Sequence, residues 1–190
     1  MATYDLHVTA ADPARVATVL PGSGYTAMAP LLWYARGALH DLGWTIRTLE
    51  WTTAPSFDSA RTAYAEVLGE DAPGDDMLHL VVAKSLGTLA MPLAVRLGLP
   101  GVWLTPLLTS EQAPDVQETA AELDENHLLI GGTADPLWDG ELADGSDADV
   151  VEVDNADHSL EVPNDRAENL AIVEEVVSAI EEFALSFDED

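Results

Sequence analysis

Short apolar runs alternate with stretches of helical spacing along the chain, and this alternation constrains the fold more than any other feature. The runs are Asp5–Thr9, Val16–Leu20, Thr45–Glu50, Leu78–Ala83, Val102–Leu104, Leu128–Ile130 and Val150–Val153. The helical stretches are Pro30–Leu42, Ser59–Leu68, Leu86–Leu97, Ala113–Leu123 and Asp165–Phe183. Strands separated by helices build a mostly parallel sheet, here of about six or seven strands, with helices on both faces. The expected class is therefore a three-layer α/β/α sandwich. A chain of 190 residues is expected to form one domain over 1–190, burying roughly 70% of its unfolded surface. The last helix carries Leu170, Val173, Val176, Val177, Ile180 and Phe183 or Ala184 as an apolar stripe, with glutamates opposite. Pro92 removes a backbone bond from the 86–97 helix and should kink it or shorten its first segment. Pro136–Asp149 reads as a loop rich in Asp and Gly, with room for a short helical turn.

The sharpest junction is Met77-Leu78-His79-Leu80-Val81-Val82-Ala83-Lys84-Ser85-Leu86-Gly87-Thr88-Leu89-Ala90. An apolar strand runs into a serine with small residues at −2 and +2, and a helix-forming stretch follows without a loop. This is the pattern of a nucleophile elbow, in which the backbone bends so tightly that bulky −2 and +2 side chains would collide with their neighbours. Ser85 is then exposed at a strand end beside free helical N–H groups. A serine here also suits a helix N-cap. The downstream order of acid and histidine favours the nucleophile.

Asp135 follows the 128–130 strand in Gly131-Gly132-Thr133-Ala134-Asp135, and His158 follows the 150–153 strand in Asp154-Asn155-Ala156-Asp157-His158. His158 would take the serine proton as general base, and Asp135 would hold its imidazole in the required tautomer. Asp139, Asp154 and Asp157 are rivals to Asp135. Of the other histidines, His7, His79 and His127 lie in or beside strands, and His40 falls on the 30–42 helix with an exposed position expected. An oxyanion hole needs two backbone donors. The N–H of Leu86 is one; the Gly-rich segment Pro21-Gly22-Ser23-Gly24-Tyr25-Thr26 offers the other, Ser23 first and Tyr25 as the alternative. That segment lacks the glycine spacing and the Lys-Ser/Thr ending of a phosphate loop.

Charge narrows the partners. The chain has 35 acidic and 7 basic residues, a formal net charge of −28, and 25 of the acids lie beyond residue 110. Such a surface repels nucleic-acid phosphates and anionic membranes; it reads as a solvated face or as adaptation to salt. The chain contains no cysteine, which excludes disulfides, thiolate metal sites and a cysteine nucleophile. The first residues lack a secretory pattern and no apolar run reaches membrane-spanning length, so a cytoplasmic location is expected. Lys84, the one lysine, precedes Ser85 directly. It would either steer an anionic substrate group or tune His158, or simply pair with a nearby carboxylate.

On these motifs the chain resembles the α/β-hydrolase superfamily, specifically a small, lidless member of the dienelactone-hydrolase or carboxylesterase-like kind. The resemblance runs from about Val16 to the last helix, through Leu20-Pro21-Gly22-Ser23-Gly24-Tyr25, Ala83-Lys84-Ser85-Leu86-Gly87, Gly132-Thr133-Ala134-Asp135 and Ala156-Asp157-His158. It implies Ser85 as nucleophile, Asp135 as acid and His158 as base, with Leu86 and the 22–25 segment forming the oxyanion hole. It implies no cofactor and no metal. Two departures are Ala83 in the first glycine position and Pro21-Gly22 where many relatives have His-Gly. About twenty residues separate the 102–104 strand from Leu128, too few for a lid, so an open site for small soluble acyl substrates is expected. Trp33, Tyr34, Trp103 and Trp138 are pocket or core residues. Two functions follow: a serine esterase or thioesterase, or a catalytically silent binding or regulatory module on the same fold. The oligomeric state is not legible.

Overall fold

The computed structural model describes residues 3–69 and 77–187. Seven strands form one sheet: β1 (Tyr4–Thr9), β2 (Asp12–Leu20), β3 (Trp44–Trp51), β4 (Leu78–Lys84), β5 (Gly101–Leu104), β6 (His127–Gly132) and β7 (Asp149–Val153). Their order across the sheet is β1-β3-β2-β4-β5-β6-β7. Only β1 runs antiparallel, along the edge of β3; every other pair is parallel. The inner strands β4, β5 and β6 are buried along nearly their full length, which is why they read as unbroken apolar runs. β2 begins earlier than its apolar run suggests. Its first residues are exposed, and the register with β3 shifts between Asp12 and Val16.

The helices are α1 (Pro30–Asp41), α2 (Phe57–Gly69), α3 (Met91–Arg96), α4 (Pro114–Ala120), α5 (Gly140–Asp144) and α6 (Arg166–Ser186). α1 and α6 cover one face, where Leu31, Leu32, Ile172, Val176 and Ile180 pack with Val19, Val82 and Ile130. Tyr64, Met91 and Val116 pack over Val81, Trp103 and Leu129 on the other. Burying a large aliphatic side chain contributes about 1.5–3 kcal/mol. Helices as short as α3, α4 and α5 have little stability alone, so this burial holds them in place.

Three expectations need correction. The continuous helix over 86–97 is instead a six-residue 3-10 helix, Ser85–Ala90, followed by α3; Pro92 sits in the first turn of α3, where it costs no hydrogen bond. α4 stops at Ala120, short of Leu123. The buried stripe of α6 is Ile172, Val176, Ile180, Phe183 and Ala184, while Leu170 is exposed. The expected turn within 136–149 is α5, whose N-cap Asp139 accepts from the N–H of Leu142.

From β2 the sheet grows through β3 on one side and through β4 on the other. The strand order reverses between β2 and β4, and in open α/β sheets the crevice lies at such a point, outside the carboxyl ends of the strands. The 21–29 segment leaves β2 there, and Ser85 leaves β4 beside it. Between β5 and β6 the chain holds only turns and α4, so this connection carries no lid-like insertion. No helix among the described residues is long and apolar enough to cross a membrane.

Candidate active site

Ser85 stands in the left-handed region, with φ of 52°. A non-glycine residue there costs on the order of 1–3 kcal/mol and persists only where its surroundings enforce it. Three observations show the enforcement. β4 delivers Ser85 from a fully buried Ala83 and Lys84. The hydroxyl of Thr88 donates to the Ser85 carbonyl at 2.7 Å. Gly87 lies so close to β2 that a Cβ would come within 2.2 Å of the Leu20 carbonyl oxygen. Position +2 therefore requires glycine, whereas position −2 accommodates the methyl of Ala83. Ser85 is not a helix N-cap: it opens the 3-10 helix as its first residue, with Lys84 as the cap.

The Ser85 Oγ lies 2.7 Å from Nε2 of His158, and Nδ1 of His158 lies 2.7 Å from Oδ2 of Asp135. A carboxylate oxygen can only accept, so Nδ1–H donates to Asp135 and Nε2 is left to accept from the serine hydroxyl. The Asp135 side chain is wholly buried while that of His158 is 34% exposed. The other carboxylate oxygen of Asp135 accepts from the N–H of Leu137 at 2.8 Å, which fixes the rotamer. The sequence thus named three residues that the fold brings into one line.

The rival acids have other work or other places. Asp139 caps α5. Asp157 holds the His158 turn, accepting from the N–H groups of Ser159 and Glu161. Asp154 is exposed. Among the histidines, His79 is buried with its Nε2 2.7 Å from the Thr18 hydroxyl, and His7 lies 3.5 Å from Glu50 on the exposed β1. His40 is half-buried, not exposed.

The N–H of Leu86 belongs to the first turn of the 3-10 helix, where N–H groups have no partner within the helix. The loop after β2 meets Ser85 through Gly22: a Cβ there would stand 3.3 Å from the Ser85 Cβ. Ser23 follows and is exposed. Tyr25 turns its side chain inward, its hydroxyl accepting from the N–H of Leu31 at 3.1 Å. Burial pushes the Tyr25 phenol up to about 12. Gly22, Ser23, Met28, Glu50, Trp51 and Thr53 line a cavity of about 330 Å³ beside this loop. Trp51 escaped the sequence reading. Trp103 and Trp138 are core, and Trp33 and Tyr34 are exposed on α1.

Lys84 departs most from expectation. It is completely buried and, among the described residues, forms no ion pair with a carboxylate. Its Nζ donates to the Thr105 hydroxyl at 2.7 Å and to the backbone carbonyl of His158 at 2.8 Å, and lies 4.7 Å from the centre of the Tyr25 ring. Burial pulls its pKa down from 10.5 to about 7, against the opposing pull of Asp135, Asp157 and Glu161. Thr105 gave no signal in the sequence. A lone lysine ending an apolar strand was the signal available for Lys84.

No family model matches the chain, and no curated protein matches it in sequence. Solved structures do match. An α/β serine hydrolase without a lid from Xanthomonas campestris is 18% identical, covering 97% of this chain and 89% of that one, with a TM-score of 0.66. Est1E from Butyrivibrio proteoclasticus, solved with ferulic acid bound, is 12% identical over 100% and 97% of the two chains, with a TM-score of 0.71. The esterase Pf2001 of Pyrococcus furiosus is 14% identical over 97% and 92%, with a TM-score of 0.63. The chain has the α/β-hydrolase fold, in a minimal form.

Proposed function

We propose that the protein is a serine hydrolase that cleaves small carboxylic esters or thioesters through an acyl-enzyme on Ser85. The observation that carries this reading is the unbroken line from Ser85 Oγ through both nitrogens of His158 to the buried Asp135, at 2.7 Å and 2.7 Å. His158 Nε2 takes the serine proton as Oγ bonds to the acyl carbon. It then gives that proton to the departing alcohol or thiol as the old bond breaks. Water repeats the sequence: its oxygen attacks the acyl carbon, its proton passes to Nε2 and then to Ser85, and the acid is released. Asp135 stabilises the imidazolium in both halves.

The N–H of Leu86 and an N–H of the 22–25 segment are the oxyanion donors in this reading. Ser23 is preferred to Tyr25 because it directly follows Gly22, the residue through which the loop approaches Ser85. One fold neighbour, the Xanthomonas campestris hydrolase, is without a lid, and the cavity beside Gly22 suits a small group; both support short, soluble acyl substrates. Turnover of short-chain aryl esters and acyl thioesters tests the reading. Replacing Ser85 by Ala should cut kcat/KM by about 10³–10⁶; hydrolysis that survives the change overturns it.

A further inference from the structure

A fully buried lysine beneath a serine–histidine–aspartate line needs a reason, because an ammonium loses its hydration there and replacing it with an apolar side chain is often stabilising. The partners of Lys84 come from different parts of the chain. Thr105 follows β5, His158 follows β7 and Tyr25 follows β2. With Ser85 as its chain neighbour, Lys84 touches every loop that builds the site except that of Asp135. To that residue it is linked through space: Asp135 is the largest of the charges that favour the ammonium.

Two further details fit. Thr105 has φ of 42°, a conformation that a β-branched residue adopts only under constraint, and its hydroxyl is the acceptor for Lys84. The bond to His158 goes to the backbone carbonyl, so it fixes the imidazole's attachment point and leaves both ring nitrogens to Ser85 and Asp135. The charged and titratable groups around Nζ are Asp135, Asp157 and Glu161, the Tyr25 phenol and the His158 ring.

We propose that Lys84 is a positioning residue: its buried ammonium anchors the His158 main chain and supplies the counter-charge to Asp135, holding the imidazole in register between Asp135 and Ser85. This rests on the reading of Ser85, His158 and Asp135 as a working triad. Asp135 is buried and negative, and in the transition state the imidazolium and the oxyanion add one charge of each sign. A cation already in place leaves the buried ensemble balanced before and during the reaction.

The test compares wild type, Lys84→Met, Lys84→Arg and Thr105→Val by the rate of fluorophosphonate labelling across pH 5–10, and by the NMR signal of the His158 Nδ1 proton. Lys84→Met should fold, label about 10- to 100-fold more slowly than wild type, and lose or shift the Nδ1 proton signal. Thr105→Val, which leaves the ammonium its other partners, should slow labelling by severalfold and shift the signal less. Lys84→Arg keeps the charge and should recover part of the rate, without any alkaline fall that wild type shows as Lys84 loses its proton. Labelling and Nδ1 signal in Lys84→Met equal to wild type would overturn the proposal. If Lys84→Met does not fold, Thr105→Val decides by the same two readouts. If folded wild type does not label at all, the hydrolase reading fails, and the Nδ1 signal alone decides whether Lys84 positions His158: loss in Lys84→Met supports it and no change overturns it.

Discussion

The two ends of the sheet carry the same kinds of residue with opposite results. At the carboxyl ends of the strands stand His158, Asp135 and a cavity of about 330 Å³ beside Gly22. At the amino ends stand His127, Asp124 and another cavity of about 330 Å³, bordered by Pro100 and Phe187. The second pair does not form a hydrogen bond: His127 Nε2 is 3.8 Å from an Asp124 side chain that is 56% exposed. The Nδ1 of His127 faces the indole N–H of Trp103 at 3.4 Å, and burial lowers its pKa. It is a packing residue. At the other end the acid is buried, the histidine is half-open and a strained serine faces it. Residue type and cavity size are therefore poor guides to a site. Relative burial and alignment separate the two.

Among changes that leave Ser85 in place, the largest effect should come from Asp135→Asn, which keeps the size of the side chain but favours the wrong imidazole tautomer. Turnover should fall by about 10⁴. A fall of less than tenfold would mean that the acid is not part of the machinery.

Gly87→Ala comes next. Its methyl meets the Leu20 carbonyl, so β2 and the elbow must separate. Overpacking of this kind costs about 1–3 kcal/mol, and a thermal melt should show a Tm lower by several degrees, with activity reduced as Gly22 and Ser85 move apart. An unchanged Tm and rate would remove the argument for a tight elbow.

At the opposite end, His127→Leu leaves the Trp103 indole without an acceptor and should cost about 1–3 kcal/mol in a urea melt. Its kcat/KM should stay within about threefold of wild type. A loss as large as that of Asp135→Asn would erase the distinction between the two ends.

A last prediction concerns pH. The folded chain holds the Lys84 proton with a pKa of about 7, against 10.5 ordinarily, so the unfolded chain binds the proton more tightly. The penalty from this group is therefore whole below pH 7 and disappears as pH rises towards 10.5. Lys84→Met removes it. The stability of the variant relative to wild type should be greatest below pH 7 and decline between 7 and 10.5; a difference independent of pH would contradict a buried ammonium.

How much of this was legible in the sequence depended on where the signal resides. Ser85, Asp135 and His158 were legible because each follows a strand and their order along the chain is informative. The inner strands β4, β5 and β6 were legible because buried parallel strands are apolar throughout, and β2 was underestimated where its first residues are exposed. The 3-10 helix was not legible: the spacing of apolar residues over 86–97 is the same for a continuous helix, and the close approach of Gly87 to Leu20 involves another strand. The burial of Lys84 depends on Thr105 and His158, 21 and 74 residues away, and no local pattern encodes that. The proposed oxyanion donors are backbone N–H groups, which no side chain announces; the glycines around Ser23 mark the loop without selecting the atom.

The most direct test of the central claim is the intact mass of wild type and Ser85→Ala after incubation with a small fluorophosphonate. The account predicts one adduct on wild type, located at Ser85, and none on the variant. No adduct on folded wild type, or an adduct that persists in Ser85→Ala, would contradict an activated serine at this position.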